Sequence, residues 1–286
     1  MKNIVVIGAG TMGNGIAHTA ATSGMDVTLI DVDKPILERA MNTISTNLQR
    51  GVDKGRMSAD EKRAVLGRIR STTDMQAIAA ADIVVEAIVE NLPAKTSLFQ
   101  KLDTVTQPAC ILASNTSSIS ITKIAASTKR PDKIIGMHFM NPVPVMPLVE
   151  VIRGMATSDD TYQRVEGLAK KMGKTPIEVN DYPGFVSNRV LMPMVNEAIF
   201  TLYEGVATAE AIDGVMKLGM NHPMGPLQLA DFIGLDVCLA VLRVLEEGFG
   251  DPKYRPCPLL IKMVDAGWLG KKSGRGFYRY GTVIGK

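Results

Sequence analysis

The chain has 286 residues, 46% hydrophobic and 21% charged, which is apolar material for a sizeable core and, at about 100–200 residues per domain, for two domains. A net charge of +3 from dispersed basic residues excludes a nucleic-acid surface, and no apolar run reaches the roughly 18 residues of a membrane span. Cys110, Cys238 and Cys257 are odd in number and far apart, which argues against a disulfide framework or a C-x-x-C pair and fits a reducing cytoplasm.

The chain enters an apolar strand at once ("MKNIVVIGAG"), leaving no room for a signal or transit peptide, so a cytoplasmic location is expected. In order, "NIVVIG", "DVTLID", "DIVVEAI", "CILAS", "KIIGMHF" and "PLVEVI" read as strands separated by helical patterns. Short, fully apolar runs of this kind form parallel sheets covered on both faces. The expected fold is α/β, a Rossmann-type, doubly wound, mainly parallel sheet over residues 1–181. Residues 35–66 form a long, polar, helical excursion where a simple crossover needs about a dozen residues. After "VNDYPGF" the strands stop, and a second, all-helical domain is expected over 182–286, with helices at Phe185 to Tyr203 and Leu227 to Phe249. Pro193 falls inside the first of these and should bend it. The closing "GTVIGK" reads as a frayed tail.

"VVIGAGTMGNGIA" sets Gly8, Gly10 and Gly13 in G-x-G-x-x-G spacing between a strand and a helix, with Asp31 ending the next strand about 20 residues on. A tight turn without Cβ atoms lets a pyrophosphate approach the helix N-terminus, whose N–H groups and dipole favour an anion. The turn Gly8, Gly10, Thr11, Met12 and Gly13 is the expected cofactor loop. Asp31 would accept hydrogen bonds from both ribose hydroxyls and repel a 2′-phosphate, so NAD is favoured, with NADP not excluded. The competing reading is a structural glycine turn beside a solvated carboxylate.

His138 closes a late strand at its C-terminal end, where open α/β sheets place their ligand crevice. Asn115, Thr116, Ser117 and Ser118 cluster after another strand. Glu150 stands between Val149 and Val151 in an otherwise apolar strand, and a charge there needs a partner, either an arginine or His138. Paired with His138, it would fix the ring's tautomer and leave the other nitrogen to exchange a proton at neutral pH. Asn188 lines up on a helical wheel with Met192, Val195, Ile199 and Leu202; it either faces a cleft and binds substrate or caps backbone. His18 and His222 read as surface or structural, and the methionines as packing. No H-E-x-x-H, Cys/His cluster or G-x-S-x-G points to a metal or a hydrolase.

With "GAGTMG", "VVEAIVEN", "ASNTSS", "MHFMNPVPVMPLVEVI", "PGFVSNRVLMP", "HPMGPLQLADFIGLD" and "KKSGRGFY" in place, the chain resembles the short 3-hydroxyacyl-CoA dehydrogenases nearly end to end, the bacterial 3-hydroxybutyryl-CoA dehydrogenases above all. The resemblance implies that Ser117, His138, Glu150 and Asn188 form the catalytic group, His138 and Glu150 as an acid–base dyad and Ser117 and Asn188 holding the substrate oxygen. It implies that Glu90, Lys95, Asn115, Asn141 and Lys272 line the NAD site. The excursion would help bind coenzyme A, with Arg50 and Lys54 meeting its phosphates; a charge pair on a solvated helix explains those two almost as well. The implied reaction interconverts 3-hydroxyacyl-CoA and 3-ketoacyl-CoA, such as 3-hydroxybutyryl-CoA and acetoacetyl-CoA, in a homodimer joined through the helical domain. Three rivals share the architecture. The β-hydroxyacid dehydrogenases need a catalytic lysine where "PGFVSNRV" offers Asn188 and Arg189. A sugar-acid (gulonate-type) dehydrogenase shares more of the site. A non-catalytic NAD-binding protein is disfavoured by the intact Ser, His, Glu and Asn set.

Overall fold

The computed structural model describes residues 1–281 and divides into two compact units, Met1–Tyr182 and a second beginning at Pro183. The expected tail falls, from residue 282 on, outside the described residues.

In the first unit, strand β1 (Asn3–Ile7) leads into helix α1 (Thr11–Thr22), β2 (Asp26–Ile30), α2 (Lys34–Asp53), α3 (Ala59–Gly67) and β3 (Ile69–Thr72). There follow β4 (Ile83–Glu86), α4 (Leu92–Val105), β5 (Ile111–Ser114), α5 (Ile121–Ala125), β6 (Ile134–Phe139), β7 (Leu148–Arg153), α6 (Asp159–Lys171) and β8 (Thr175–Asn180). The strands form one sheet in the order β3-β2-β1-β4-β5-β6-β7-β8. Every neighbouring pair is parallel except β6 and β7. The order runs outward from β1 in two directions, so a crevice opens between β1 and β4 at their C-terminal ends, where such sheets bind ligands.

The six expected strands are all present, and the sheet has two more. β3 and β8 are its edges: β3 buries only Ile69, and β8 buries only Val179 and carries Pro176. The central strands β4 and β5 are buried at every residue, which is why their sequences read as continuous apolar runs. The excursion is two helices. α2 turns Leu37, Ala40, Ile44 and Leu48 inward at helical spacing, and α3 opens with a capping box between Ser58 and Glu61.

The second unit holds α7 (Ser187–Tyr203), α8 (Ala209–Gly219), α9 (Pro226–Ile233), α10 (Leu235–Phe249) and α11 (Pro258–Asp265). α7 continues through Pro193. The expected single helix from Leu227 to Phe249 is instead α9 and α10, separated by Gly234 at φ 107°, a conformation that ends a helix and that only glycine adopts without strain. Two buried carboxylates tie this unit together. Asp213 accepts the first-turn amides of α9, Leu227 N and Gln228 N, and the Tyr278 hydroxyl; Asp231 accepts Phe277 N, Tyr278 N and the Tyr280 hydroxyl. Among the described residues no helix is long and apolar enough to cross a membrane.

Candidate active site

The three loop glycines have three different physical roles. Gly8 has φ 96°, and a Cβ there would collide with the Ala87 carbonyl oxygen on the neighbouring β4 exit; a Cβ on Gly13 would strike the Gly8 carbonyl. Gly10 has open space around it. It is the N-cap of α1, with no side chain capping the helix and no acidic residue in the first turn, so that turn's N–H groups and positive dipole end face an open approach. One oxygen of Asp31 accepts the Ala9 amide at 2.7 Å, which ties the loop to the end of β2. Beside the loop lies a largely apolar cavity of about 600 Å³ lined by Gly8, Gly10, Asp31, Ile36, Met75 and Leu98 among others. An uncapped helix end, an acid for a ribose and an apolar slot for a base together fit a dinucleotide.

Antiparallel pairing of β6 and β7 sets His138 directly opposite Glu150. Both are buried, at 6% and 2% exposure, and Nδ1 of the ring lies 2.7 Å from Oε2 of the carboxylate. A carboxylate at this distance can accept a proton from Nδ1, and in that tautomer of the neutral ring Nε2 is the nitrogen without a proton. Asn115 fastens the adjoining strand ends, its Oδ1 accepting the Phe139 amide at 2.9 Å. The turn from Thr116 to Ser118 converges on Glu90, whose Oε1 accepts the Thr116 hydroxyl (2.6 Å), the amides of Ser117 (2.9 Å) and Ser118 (3.1 Å) and the Ser118 hydroxyl (3.0 Å). Burial alone would raise the Glu90 pKa. The Lys95 ammonium, 3.3 Å from Oε2, and these hydrogen bonds outweigh it and hold the carboxyl below its ordinary range.

Residues 3–182 match the description "3-hydroxyacyl-CoA dehydrogenase, NAD binding domain", and residues 184–280 match "3-hydroxyacyl-CoA dehydrogenase, C-terminal domain". The chain belongs to the 3-hydroxyacyl-CoA dehydrogenase family. It is therefore an NAD-dependent oxidoreductase with an NAD-binding first unit. It is 61% identical to a "Probable 3-hydroxybutyryl-CoA dehydrogenase" of Bacillus subtilis, with 98% of each chain covered. It is 54% identical to the 3-hydroxybutyryl-CoA dehydrogenase of Bradyrhizobium diazoefficiens, covering 98% of this chain and 96% of that one. The crystal structure of an (S)-3-hydroxybutyryl-CoA dehydrogenase from Ralstonia eutropha superposes with a TM-score of 0.97 at 50% identity, covering 99% and 100% of the two chains.

Within this 3-hydroxyacyl-CoA dehydrogenase the other residues singled out from the sequence are placed as follows. Thr11 and Met12 open α1, and Asn141 is exposed just after β6. Arg50 and Lys54 are exposed at the C-terminal end of α2, Arg50 donating to Asn47 Oδ1 at 3.3 Å. Asn188 is half-buried in the first turn of α7, in line with buried Met192, Val195 and Ile199. Lys272 also lies in the second unit, its Nζ 2.6 Å from an Asp236 oxygen. His18 is buried, and burial lowers its pKa. The cysteines are buried, free thiols; burial pushes Cys110 to about 11 and Cys238 to about 12, so neither supplies a thiolate near neutrality.

Glu86 escaped the sequence reading. It ends β4, is 0% exposed, and contacts Lys95 Nζ at 2.5 Å, the Ser114 hydroxyl at 2.6 Å and the Ile88 amide at 2.7 Å. The signal was available, because "IVVEAI" sets a carboxylate in an apolar strand just as "LVEVI" does at Glu150.

Proposed function

We propose that this enzyme is an (S)-3-hydroxybutyryl-CoA dehydrogenase, interconverting 3-hydroxybutyryl-CoA and acetoacetyl-CoA, with His138 and Glu150 as its acid–base dyad. The observation that carries the reading is the buried 2.7 Å contact between His138 Nδ1 and Glu150 at the strand-end edge that also bears the open glycine loop. Relatives named for this activity cover nearly the whole chain, which supports the substrate.

In oxidation, His138 Nε2 takes the proton of the 3-hydroxyl, and Glu150 stabilises the resulting imidazolium. In reduction, the protonated ring returns that proton to the 3-keto oxygen. NAD, when bound, supplies the acceptor and donor of the C3 hydride. Gly8, Gly10, Thr11, Met12 and Gly13 cradle the pyrophosphate, and Asp31 takes the ribose hydroxyls and disfavours NADP. Glu90, Lys95, Asn115, Asn141 and Lys272 complete the cofactor site, and Ser117 and Asn188 hold the substrate oxygen. Arg50 and Lys54 meet the phosphates of coenzyme A.

The same proposal includes action in the cytoplasm, which the three unpaired, buried thiols support, and a homodimer formed through the second unit. Support for the dimer comes from large apolar side chains left exposed there, among them Leu218 (91%), Val206 (71%) and Val190 (67%). Light scattering should give twice the chain mass; a monomer at all working concentrations would contradict the dimer. The activity is tested by steady-state oxidation of NADH with acetoacetyl-CoA, repeated with NADPH, and by the reduction of NAD with free sugar acids. Turnover with acetoacetyl-CoA and NADH, slower with NADPH, is expected. No turnover with acetoacetyl-CoA, or turnover of free sugar acids in its place, would overturn it.

A further inference from the structure

The buried charges behind the Thr116–Ser118 turn are not what stability alone would select. Glu86 is fully buried, and Lys95, at 1% exposure, lies in the first turn of α4, the end of a helix whose dipole disfavours a cation. Taking both charges out of water costs several kcal/mol per ion, and a well-packed apolar pair of the same volume is often as stable or more so. What the charges achieve is geometric. Lys95 sits between two carboxylates, 2.5 Å from Glu86 and 3.3 Å from Glu90.

From Glu86 two chains of contacts reach the same turn. One passes through Lys95 to Glu90, whose Oε1 holds the Ser117 amide at 2.9 Å. The other passes through Ser114, whose hydroxyl donates to Glu86 at 2.6 Å and accepts the Thr116 amide at 3.2 Å. Because that single hydroxyl proton is committed to Glu86, the oxygen's lone pairs are turned to Thr116. The residue just before Ser117 and the amide of Ser117 itself are thus both set by one carboxylate that lies outside the glycine loop and the dyad.

We infer that Glu86 is a positioning residue for the dehydrogenase reaction: through Lys95–Glu90 and through Ser114 it fixes where Ser117 presents its hydroxyl to the substrate oxygen. This rests on the reading of Ser117 given above. If it holds, neutralising Glu86 should cost turnover only as long as Ser117 is there to be misplaced, since errors of about 1 Å in a positioned group can cost up to about a hundredfold.

The test is a double-mutant cycle of Glu86→Gln and Ser117→Ala, reading kcat with acetoacetyl-CoA and NADH alongside thermal melting. Ser117→Ala alone should lower kcat at least about tenfold. Glu86→Gln should lower it about tenfold in the wild type and less than about twofold in the Ser117→Ala background. A purely structural Glu86 would lower melting and cost the same factor in both backgrounds, and that result overturns the inference, as does a Glu86→Gln enzyme of wild-type kcat. If Glu86→Gln does not fold, Ser114→Ala cuts one of the two chains without touching the charges. A loss of about threefold confined to enzymes that keep Ser117 supports the inference, and an equal loss in both backgrounds overturns it. A Ser117→Ala enzyme with undiminished kcat would instead overturn the reading of Ser117, and the inference with it; a slow Ser117→Ala enzyme beside an unaffected Glu86→Gln overturns the inference alone.

Discussion

Gly10 and Gly13 separate the demands of the ligand from the demands of the fold. At Gly10 the backbone (φ −64°, ψ −166°) suits any residue and a Cβ has nothing within 4 Å. Gly10→Ala should therefore unfold within about 0.5 kcal/mol of the wild type, yet bind NADH at least about tenfold more weakly because the new methyl occupies the approach to the helix end. Gly13→Ala drives a methyl into the Gly8 carbonyl and should cost about 1–3 kcal/mol of stability. Urea titration and NADH binding of the two variants check this, and equal losses of stability would contradict it. At this scale the sequence made His138, Glu150 and the three glycines visible, since each is a residue type its immediate surroundings do not ask for. It did not expose the pairing of Glu86 with Lys95 or the four donors gathered on Glu90. Those depend on which strand ends lie side by side, and no spacing along the chain encodes that.

The strands found from the sequence are those buried on both faces. β3 and β8 were not found because an edge strand needs to bury only one face: "IRST" and "TPIEVN" supply one buried residue each and show no apolar run. The division between α9 and α10 was missed for a related reason, since apolar periodicity persists across Gly234 while the backbone does not. The antiparallel β6–β7 pair matters most to the site, because a one-residue slip would turn Glu150 to the opposite face from His138. Its connection is held by Lys174, buried just before β8, which donates to the carbonyls of Val143 and Met146. Lys174→Met keeps the stem and removes both bonds. It should cost about 1.5–3 kcal/mol, read as a lower denaturation midpoint, and it should reduce turnover along with it. A midpoint equal to the wild type would show that the connection holds itself.

At the scale of the whole molecule, each unit has its own core, one running from Ile4 to Met172 and the other from Met192 to Met263 with no residue in common. The change from alternating strand and helix patterns to purely helical ones was legible because the two architectures have different apolar periods. Family membership spans both units, and the chemistry proposed for them comes down to one proton moved by His138 under the hold of Glu150. The most direct measurement is kcat of His138→Gln with saturating acetoacetyl-CoA and NADH, taken together with its NADH dissociation constant. The account predicts kcat lower by about 10²–10⁴ with NADH binding unchanged within about threefold. A variant that turns over at close to the wild-type rate would contradict it.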